Sequence, residues 1–241
     1  MSVLTFTRGV TISGERCFLS AGFSADGNAV VATTRAGRQA WNPRTGEPLD
    51  AALVPNDEHA SAPVSAQWRA GAKDSGASAP GFHVQDQAGA VGFIAEPFPD
   101  YAGATVAPDG KTVAIGYQHG RLRIETLPVS SPTFLVGHDR SKNNHQYQNV
   151  INYLAFDCDS QLLVSMADDD DRPLLWDLRQ TPQSTTWNGK PAHALHDPID
   201  LNSVTDGGVD TFRFSPVAPM FVCTHRRLQT LQIWTYARAA R

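Results

Sequence analysis

Four segments of the chain place a large apolar residue at a fixed distance after an apolar anchor. In two segments the distance is 18 residues, and in the other two it is 20 residues. The pairs are Phe23 with Trp41, Val106 with Ile124, Phe156 with Trp176, and Phe214 with Trp234. Self-similarity at a fixed spacing is the sequence signature of a repeat architecture. The spacing therefore predicts a fold built from repeated small units.

The repeats have the character of short β-sheets. Each anchor ends a β-type run and precedes a turn of Asp, Gly, Pro or Ser, which are residues that reverse a chain tightly. A glycine four residues before the large apolar residue marks a further repeat, and it recurs as Gly37 with Trp41, Gly89 with Phe93, and Gly120 with Ile124. Helical periodicity is almost absent, and sheets of this size must stack to bury their faces.

The fold class predicted from these repeats is all-β. Five repeats are expected at residues 10–54, 55–98, 99–137, 138–192 and 193–241, each a four-stranded antiparallel sheet fanning about an axis within one β-propeller domain, 1–241. The last repeat, ending in "LQIWTYARAAR", has no sequence for a fourth strand. Residues 2–9 are predicted to supply that strand, because they form a β-type segment without a partner of its own.

Several short motifs carry a family resemblance. They are "VGHD" (136–139), "LLWDL" (174–178), "FSADG" (23–27), "APDGKTVAIG" (107–116) and "RFSP" (213–216). With these motifs the chain resembles the WD-repeat β-propeller family, in the style of degenerate bacterial repeats. The resemblance implies a buried hydrogen-bond network of His138, Ser165, Asp170 and Trp176, in which Asp170 accepts from the imidazole. Satisfying these buried polar groups together would hold one repeat in register.

The run Asp168 to Asp171 leaves three readings open. It is a solvated turn with one structural aspartate, a docking patch for a basic partner, or a metal site. Four adjacent carboxylates repel one another unless positive charge is near. A calcium loop with alternating ligands and a turn glycine is absent, however, so no metal is expected.

The resemblance also implies a functional surface. In this family the turns between second and third strands and the loops entering each repeat open onto one rim, and Arg and Tyr side chains there suit protein interfaces. The candidate partner-binding residues are Arg35, Phe98, Tyr101, His119, Arg140, Lys142, Tyr147, Asp168, Asp169, Asp171, Arg226 and Arg227.

Composition narrows the function classes. A net charge of −4 gives no phosphate-neutralising footprint, so nucleic acid is not expected as the principal ligand. The three cysteines, Cys17, Cys158 and Cys223, fit neither a disulfide framework nor a paired zinc site. No run reaches the roughly 18 apolar residues of a membrane span, and no leader pattern is visible. A cytoplasmic protein is therefore expected.

No catalytic signature stands out. "GKT" at 110–112 lacks the glycine that a phosphate loop needs five residues earlier, and no nucleophile elbow is present. We therefore predict no enzyme activity and no cofactor, and expect a regulatory subunit, sensor or adaptor that binds protein partners in a multi-subunit signalling complex. The alternatives are an enzyme or small-ligand binder using a central channel, and a partial propeller completed by another chain.

Overall fold

The computed structural model describes residues 4–13, 18–54, 64–69, 81–86, 89–95, 101–128, 132–135, 137–138, 149–168, 172–187, 190–195, 197–205, 208–225 and 227–238. In these ranges the chain consists of strands, turns and two single-turn 3-10 helices, Gln118–Gly120 and Leu201–Ser203, with no α-helix. The all-β prediction is confirmed for this part of the chain.

The strands, in chain order, are β1 (Leu4–Ser13), β2 (Phe18–Phe23), β3 (Val30–Thr34), β4 (Gly37–Trp41), β5 (Pro48–Leu49), β6 (Val64–Arg69), β7 (Gly81–Asp86), β8 (Gly89–Ala95), β9 (Tyr101–Val106), β10 (Thr112–Tyr117), β11 (Leu122–Thr126), β12 (Thr133–Leu135), β13 (Ile151–Phe156), β14 (Leu162–Ala167), β15 (Leu174–Asp177), β16 (Gln183–Trp187), β17 (Lys190–Leu195), β18 (Ile199–Asp200), β19 (Thr211–Phe214), β20 (Met220–His225) and β21 (Thr230–Arg238). The four anchors end β2, β9, β13 and β19, as their spacing predicts. The large apolar residues lie in the third strand of each sheet.

The four anchor turns share one hydrogen-bond pattern. The residue after each anchor donates its backbone N–H to the carbonyl oxygen five residues later, at 2.8 to 3.0 Å. The bonds are Ser24 to Ala29, Ala107 to Thr112, Asp157 to Leu162, and Ser215 to Met220. Side chains complete the turns, since Asp157 Oδ1 accepts from the backbone N–H groups of Gln161 and Leu162. The repeat in the sequence is therefore a repeat in local structure.

The strands divide into two compact units. The terminal unit contains residues 1–60, 171–173 and 200–241, and the central unit contains residues 61–170 and 174–199. In the terminal unit, one sheet has the order β2-β3-β4-β5 and the other β1-β21-β20-β19. Their facing side chains form a core that includes Phe23, Val30, Val222 and Ile233.

The N-terminal strand belongs to the last sheet. β1 pairs antiparallel with β21, from Leu4 opposite Arg238 to Ser13 opposite Thr230, with a bulge between Arg8 and Val10. Residues 2–9 were expected in this place, and the strand continues beyond them to Ser13. A segment that is distant in sequence therefore covers the edge of β21.

Three sheets pack in succession in the central unit. They are β6-β7-β8, a six-stranded sheet β9-β10-β11-β12-β17-β16, and β13-β14-β15-β18. One core joins the first two sheets, with Phe82 and Ile94 against Val113 and Ile115. A second core joins the last two, around Trp176. β9 lies beside both β6 and β13. Each fully buried large apolar side chain stabilises this stacking by roughly 1.5–3 kcal/mol.

The prediction of four antiparallel strands per repeat is wrong for the middle sheet. β17 pairs in parallel with β12, where Phe134 lies opposite Ala194, and the hairpin β16–β17 brings the sheet to six strands. The cause is the open edge of β12, whose unpaired backbone groups accept another strand. His193 N accordingly donates to Pro132 O at 3.0 Å.

Candidate functional site

Three of the four predicted network residues meet in the third sheet of the central unit. Trp176 Nε1 donates to Ser165 Oγ at 2.8 Å, and His138 Nε2 lies 2.8 Å from the same oxygen. Ser165 stands on β14 and Trp176 on β15, on one face of this antiparallel pair. All three side chains are buried. The fourth predicted member, Asp170, lies outside the described residues and stays a prediction.

The chemistry of the indole fixes the direction of one hydrogen bond in this network. An indole N–H can only donate, so Ser165 Oγ accepts from Trp176. The hydroxyl of Ser165 can both donate and accept, so it shares the second hydrogen bond with His138 Nε2 in a direction that depends on the imidazole tautomer. The network holds two strands and the loop before β13 together, which is a structural task.

Two glycines let the loop that carries His138 approach the sheet. A Cβ on Gly137 would lie 2.8 Å from Trp176 Cη2, and one on Gly120 would lie 2.6 Å from His138 O. Gly120 also has φ +68°, a conformation that favours glycine. Asn149 Nδ2 donates to the same His138 carbonyl oxygen. The glycine of the Gly-His motif thus makes room for the tryptophan.

The rim candidates inside the described residues lie at the predicted connections. Arg35, His119, Asp168 and Arg227 are exposed, and each stands between the second and third strands of its sheet. His119 has a φ of 61°. Tyr101 opens β9, and nothing is described of its side chain. The candidates Phe98, Arg140, Lys142, Tyr147, Asp169, Asp171 and Arg226 lie outside the described residues.

In the central unit, one segment (149–150) accepts backbone hydrogen bonds from two of these turns. Gly120 N donates to Asn149 O at 2.6 Å, and Asp168 N donates to Val150 O at 3.0 Å. Asn152 Nδ2 also donates to Asp168 Oδ1. His119 and Asp168 are therefore presented from turns that share one backbone support. In the terminal unit, Arg35 and Arg227 occupy the corresponding turns of two sheets that pack face to face.

The last sheet contains a polar cluster that the sequence analysis missed. Cys223 precedes Trp234 by 11 residues, as Ser165 precedes Trp176, so this offset was an available signal. Cys223 Sγ lies 3.4 Å from His225 Nε2, and His225 Nδ1 lies 3.1 Å from Gly208 O. A carbonyl oxygen only accepts, so Nδ1 carries the proton and the thiol donates to Nε2.

The thiol in this cluster is unsuited to nucleophilic chemistry. Burial raises the pKa of Cys223 to about 12, and its side chain is 0% exposed. Burial, with the nearby Asp159 and Asp157, raises the pKa of Cys158 to about 11. A reactive cysteine needs a lowered pKa and access to solvent. Both thiols are thus protonated and inert near neutral pH.

A buried ion pair in β11 was also missed. Arg123 Nε and Nη2 donate to Glu125 Oε1 at 2.8 and 2.5 Å, and both side chains are buried. Their opposite neighbours on β10 are Ile115 and Val113, which belong to the core between the first two sheets. The alternation of apolar and polar residues in "LRIE" predicts that one face of β11 is polar. It does not predict that another sheet covers this face, because burial depends on packing between repeats.

Comparison of the chain with protein-family models and with curated proteins finds no match. In the part of the chain that the structure describes, no three His, Cys, Asp or Glu side chains are grouped so that they could hold a metal ion. No helix among the described residues has the length and apolar character needed to cross a membrane.

Proposed function

We propose that this protein is a β-propeller of about five blades that acts without catalysis, as a cytoplasmic module binding protein partners through its rim. The blades are the five sheets, and β1 completes the last of them. Support comes from the shared anchor turns, from the cores between consecutive sheets in each unit and from the neighbouring first strands β6, β9 and β13. Radial stacking is the arrangement that hides both faces of small sheets.

The observation that carries the binding proposal is the support of the rim turns in the central unit. Asn149 and Val150 hold the turns of His119 and Asp168 through backbone hydrogen bonds, while both side chains remain exposed. Preformed loops lose little conformational entropy on binding, so they suit recognition. The buried polar side chains of the network hold the strands in register, whereas His119 and Asp168 present their side chains to solvent.

A charge-change experiment on the rim tests this function. In one protein Asp168, Asp169 and Asp171 are changed to Asn, and in another Arg35→Glu is combined with Arg227→Glu. Partners are captured from the native cell with each protein and with wild type. We expect the rim variants to lose partners that wild type retains, because complementary charge orients docking.

Matched controls exist at the opposite ends of the same sheets. Arg44 is exposed in the turn between β4 and β5, and Asp159 is exposed in the turn between β13 and β14. Arg44→Glu and Asp159→Asn change the same charges away from the proposed rim, and should leave the bound set intact. An unchanged bound set in both rim variants, with melting temperatures equal to wild type, would refute the rim as the binding surface.

A further inference from the structure

The outer strand of the six-stranded sheet, β16, differs from three other outer strands. β16 ends the order of its sheet, and Gln183 to Thr186 are exposed on both faces. It contains no charged residue, no proline and no bulge. Proteins normally protect sheet edges with such devices, because an open edge is a template for another strand. β16 therefore lacks the devices that protect a sheet edge.

Three other outer strands show the protection that β16 lacks. β1 has a bulge between Arg8 and Val10, and Arg8 is exposed. β5 has two residues and begins with Pro48, and β18 also has only two residues. Short length, charge, proline and bulges all oppose edge pairing.

The register of the hairpin shows which backbone groups are open. Trp187 lies opposite Lys190 across a two-residue loop, so this pair and every second pair along β16 exchange hydrogen bonds with β17. Thr185 thus bonds Ala192, whereas Ser184 and Thr186 point their N–H and C=O groups away from β17. His193 N, opposite Ser184, bonds Pro132 O on the other side, as this pattern requires. Among the described residues, no partner binds these outward groups of β16.

We propose that β16 pairs with β16 of a second copy of this chain, antiparallel and centred on Thr185. Ser184 then lies opposite Thr186 of the second copy and Thr186 opposite its Ser184, and each pair exchanges two backbone hydrogen bonds. The centre between two copies of Thr185 is a non-hydrogen-bonded pair. A two-fold axis through this point makes the contact self-complementary and closed.

Side-chain chemistry favours a second copy over an unrelated strand. With no charge in β16, two copies meet without like-charge repulsion, and Thr–Thr and Ser–Thr pairs opposite one another stabilise antiparallel strands. Pro182, directly before β16, has no N–H and makes a poor partner in the pairing. Centring the pair on Thr185, the middle residue of β16, pairs all five residues of the strand with the second copy, whereas centring it on Ser184 would place Thr186 opposite Pro182. Five-residue strands bury less surface than a standard interface, so the dimer forms weakly and with rising concentration.

Sedimentation velocity over a concentration series of the full 241-residue chain measures the association. Wild type should move from the monomer mass of 26.1 kDa toward twice that mass. Thr186→Pro removes one outward N–H without breaking a bond to β17, and it should keep the chain monomeric with an unchanged melting temperature. Persistent association of Thr186→Pro, or a monomeric wild type at every concentration, would overturn the proposal. A partial propeller completed by another copy would also associate in Thr186→Pro, so the two cases are distinguishable.

Cysteine cross-linking tests the register directly. In Thr185→Cys the two new thiols face each other across a non-hydrogen-bonded pair, so oxidation should give a reducible dimer. In Ser184→Cys the Cα atoms of the two copies are about 8 to 9 Å apart, beyond the span of a disulfide. We expect at least a tenfold faster cross-link for Thr185→Cys than for Ser184→Cys, above the background of wild type with its own three cysteines. Equal rates would overturn the antiparallel pairing centred on Thr185.

Discussion

The β13–β15 sheet and the β19–β21 sheet place a buried tryptophan at the same position of the third strand, yet they bind its indole differently. Trp176 donates across the strands to Ser165, which also meets His138. Trp234 donates to Gln232 in its own strand, at 3.0 Å. The spacing thus defines where the tryptophan lies, while its polar partner varies. The tryptophan position therefore reflects packing, and the network is an addition to it.

The two sheets also differ in which part of the chain supplies the segments that pack onto them. The β13–β15 sheet is built from neighbouring hairpins, with His138 provided by the loop just before it. The last sheet instead receives β1 from the other end of the chain. The Arg8 guanidinium lies 5.0 Å above the Trp234 ring, and the Phe6 ring lies 6.3 Å from the Phe221 ring. The last sheet consequently depends on a distant segment for stability.

Deleting residues 1–9 gives the largest effect expected from this difference. The deletion removes most of β1 and opens the edge of β21, so the chain should unfold or associate through that edge. Circular dichroism melting and light scattering measure the two outcomes. Thr7→Ala, which alters one exposed side chain within β1, is the control and should change stability by less than about 0.5 kcal/mol. A truncated chain that stays monomeric with the wild-type melting temperature would contradict the role of β1.

Replacing Trp176 tests the packing contribution in the locally built sheet. Trp176→Ala should lower the free energy of unfolding by roughly 3–5 kcal/mol, because it opens a cavity in the core between two sheets. Trp176→Phe retains most of the apolar volume and should cost clearly less. Urea denaturation of both variants measures the difference. A loss below about 1 kcal/mol for Trp176→Ala would show that this core does not depend on the tryptophan.

Strand positions could be predicted from the sequence because turn chemistry is local. Phe23 and Phe214 end first strands, since the Ser-containing turns that follow them are encoded within a few residues. The pairing of the N-terminal segment was also accessible, because the last repeat lacks a fourth strand and the first has a spare one. Both inferences use the spacing of residues and the number of β-type segments, which can be read directly from the sequence.

Other features depend on competition between distant strands. The open edge of β12 pairs with β17 in parallel, and no local signal in the sequence specifies that pair. Burial of Arg123 and Glu125 follows from a sheet that covers them, which no local signal specifies. The place of Cys223 was accessible, because it precedes Trp234 by the same 11 residues that separate Ser165 from Trp176. The exposure and turn positions of the rim residues were predictable, because polar turns between strands lie at the surface; the residues are Arg35, His119, Asp168 and Arg227.

Removing the hydroxyl and the thiol at the equivalent positions sharpens the comparison of the two networks. Ser165→Ala leaves the Trp176 N–H without its acceptor in a buried site, so it should cost about 1–3 kcal/mol. Cys223→Ala should cost less, because Trp234 keeps Gln232 as its acceptor. Urea unfolding of both variants measures this order. If Cys223→Ala is the more destabilising change, then the thiol, and not Gln232, supports the indole of the last sheet.

The smallest expected effect is a loss of folding stability at alkaline pH that arises from the last sheet. In the folded state the pKa of Cys223 is raised to about 12 from 9.0, because burial disfavours the thiolate. The unfolded chain therefore loses this proton first as the pH rises above 9, and the stability due to the neutral buried thiol declines by up to about 1.4 kcal/mol per pH unit. Cys223→Ser lacks this titration, so wild type should lose stability relative to the variant between pH 9 and 10.5, as urea unfolding at each pH would show. Cys158→Ser is the control, with a smaller expected change because Cys158 is only partly buried and its pKa is about 11. Parallel pH curves for wild type and Cys223→Ser would contradict a buried, protonated thiol at this site.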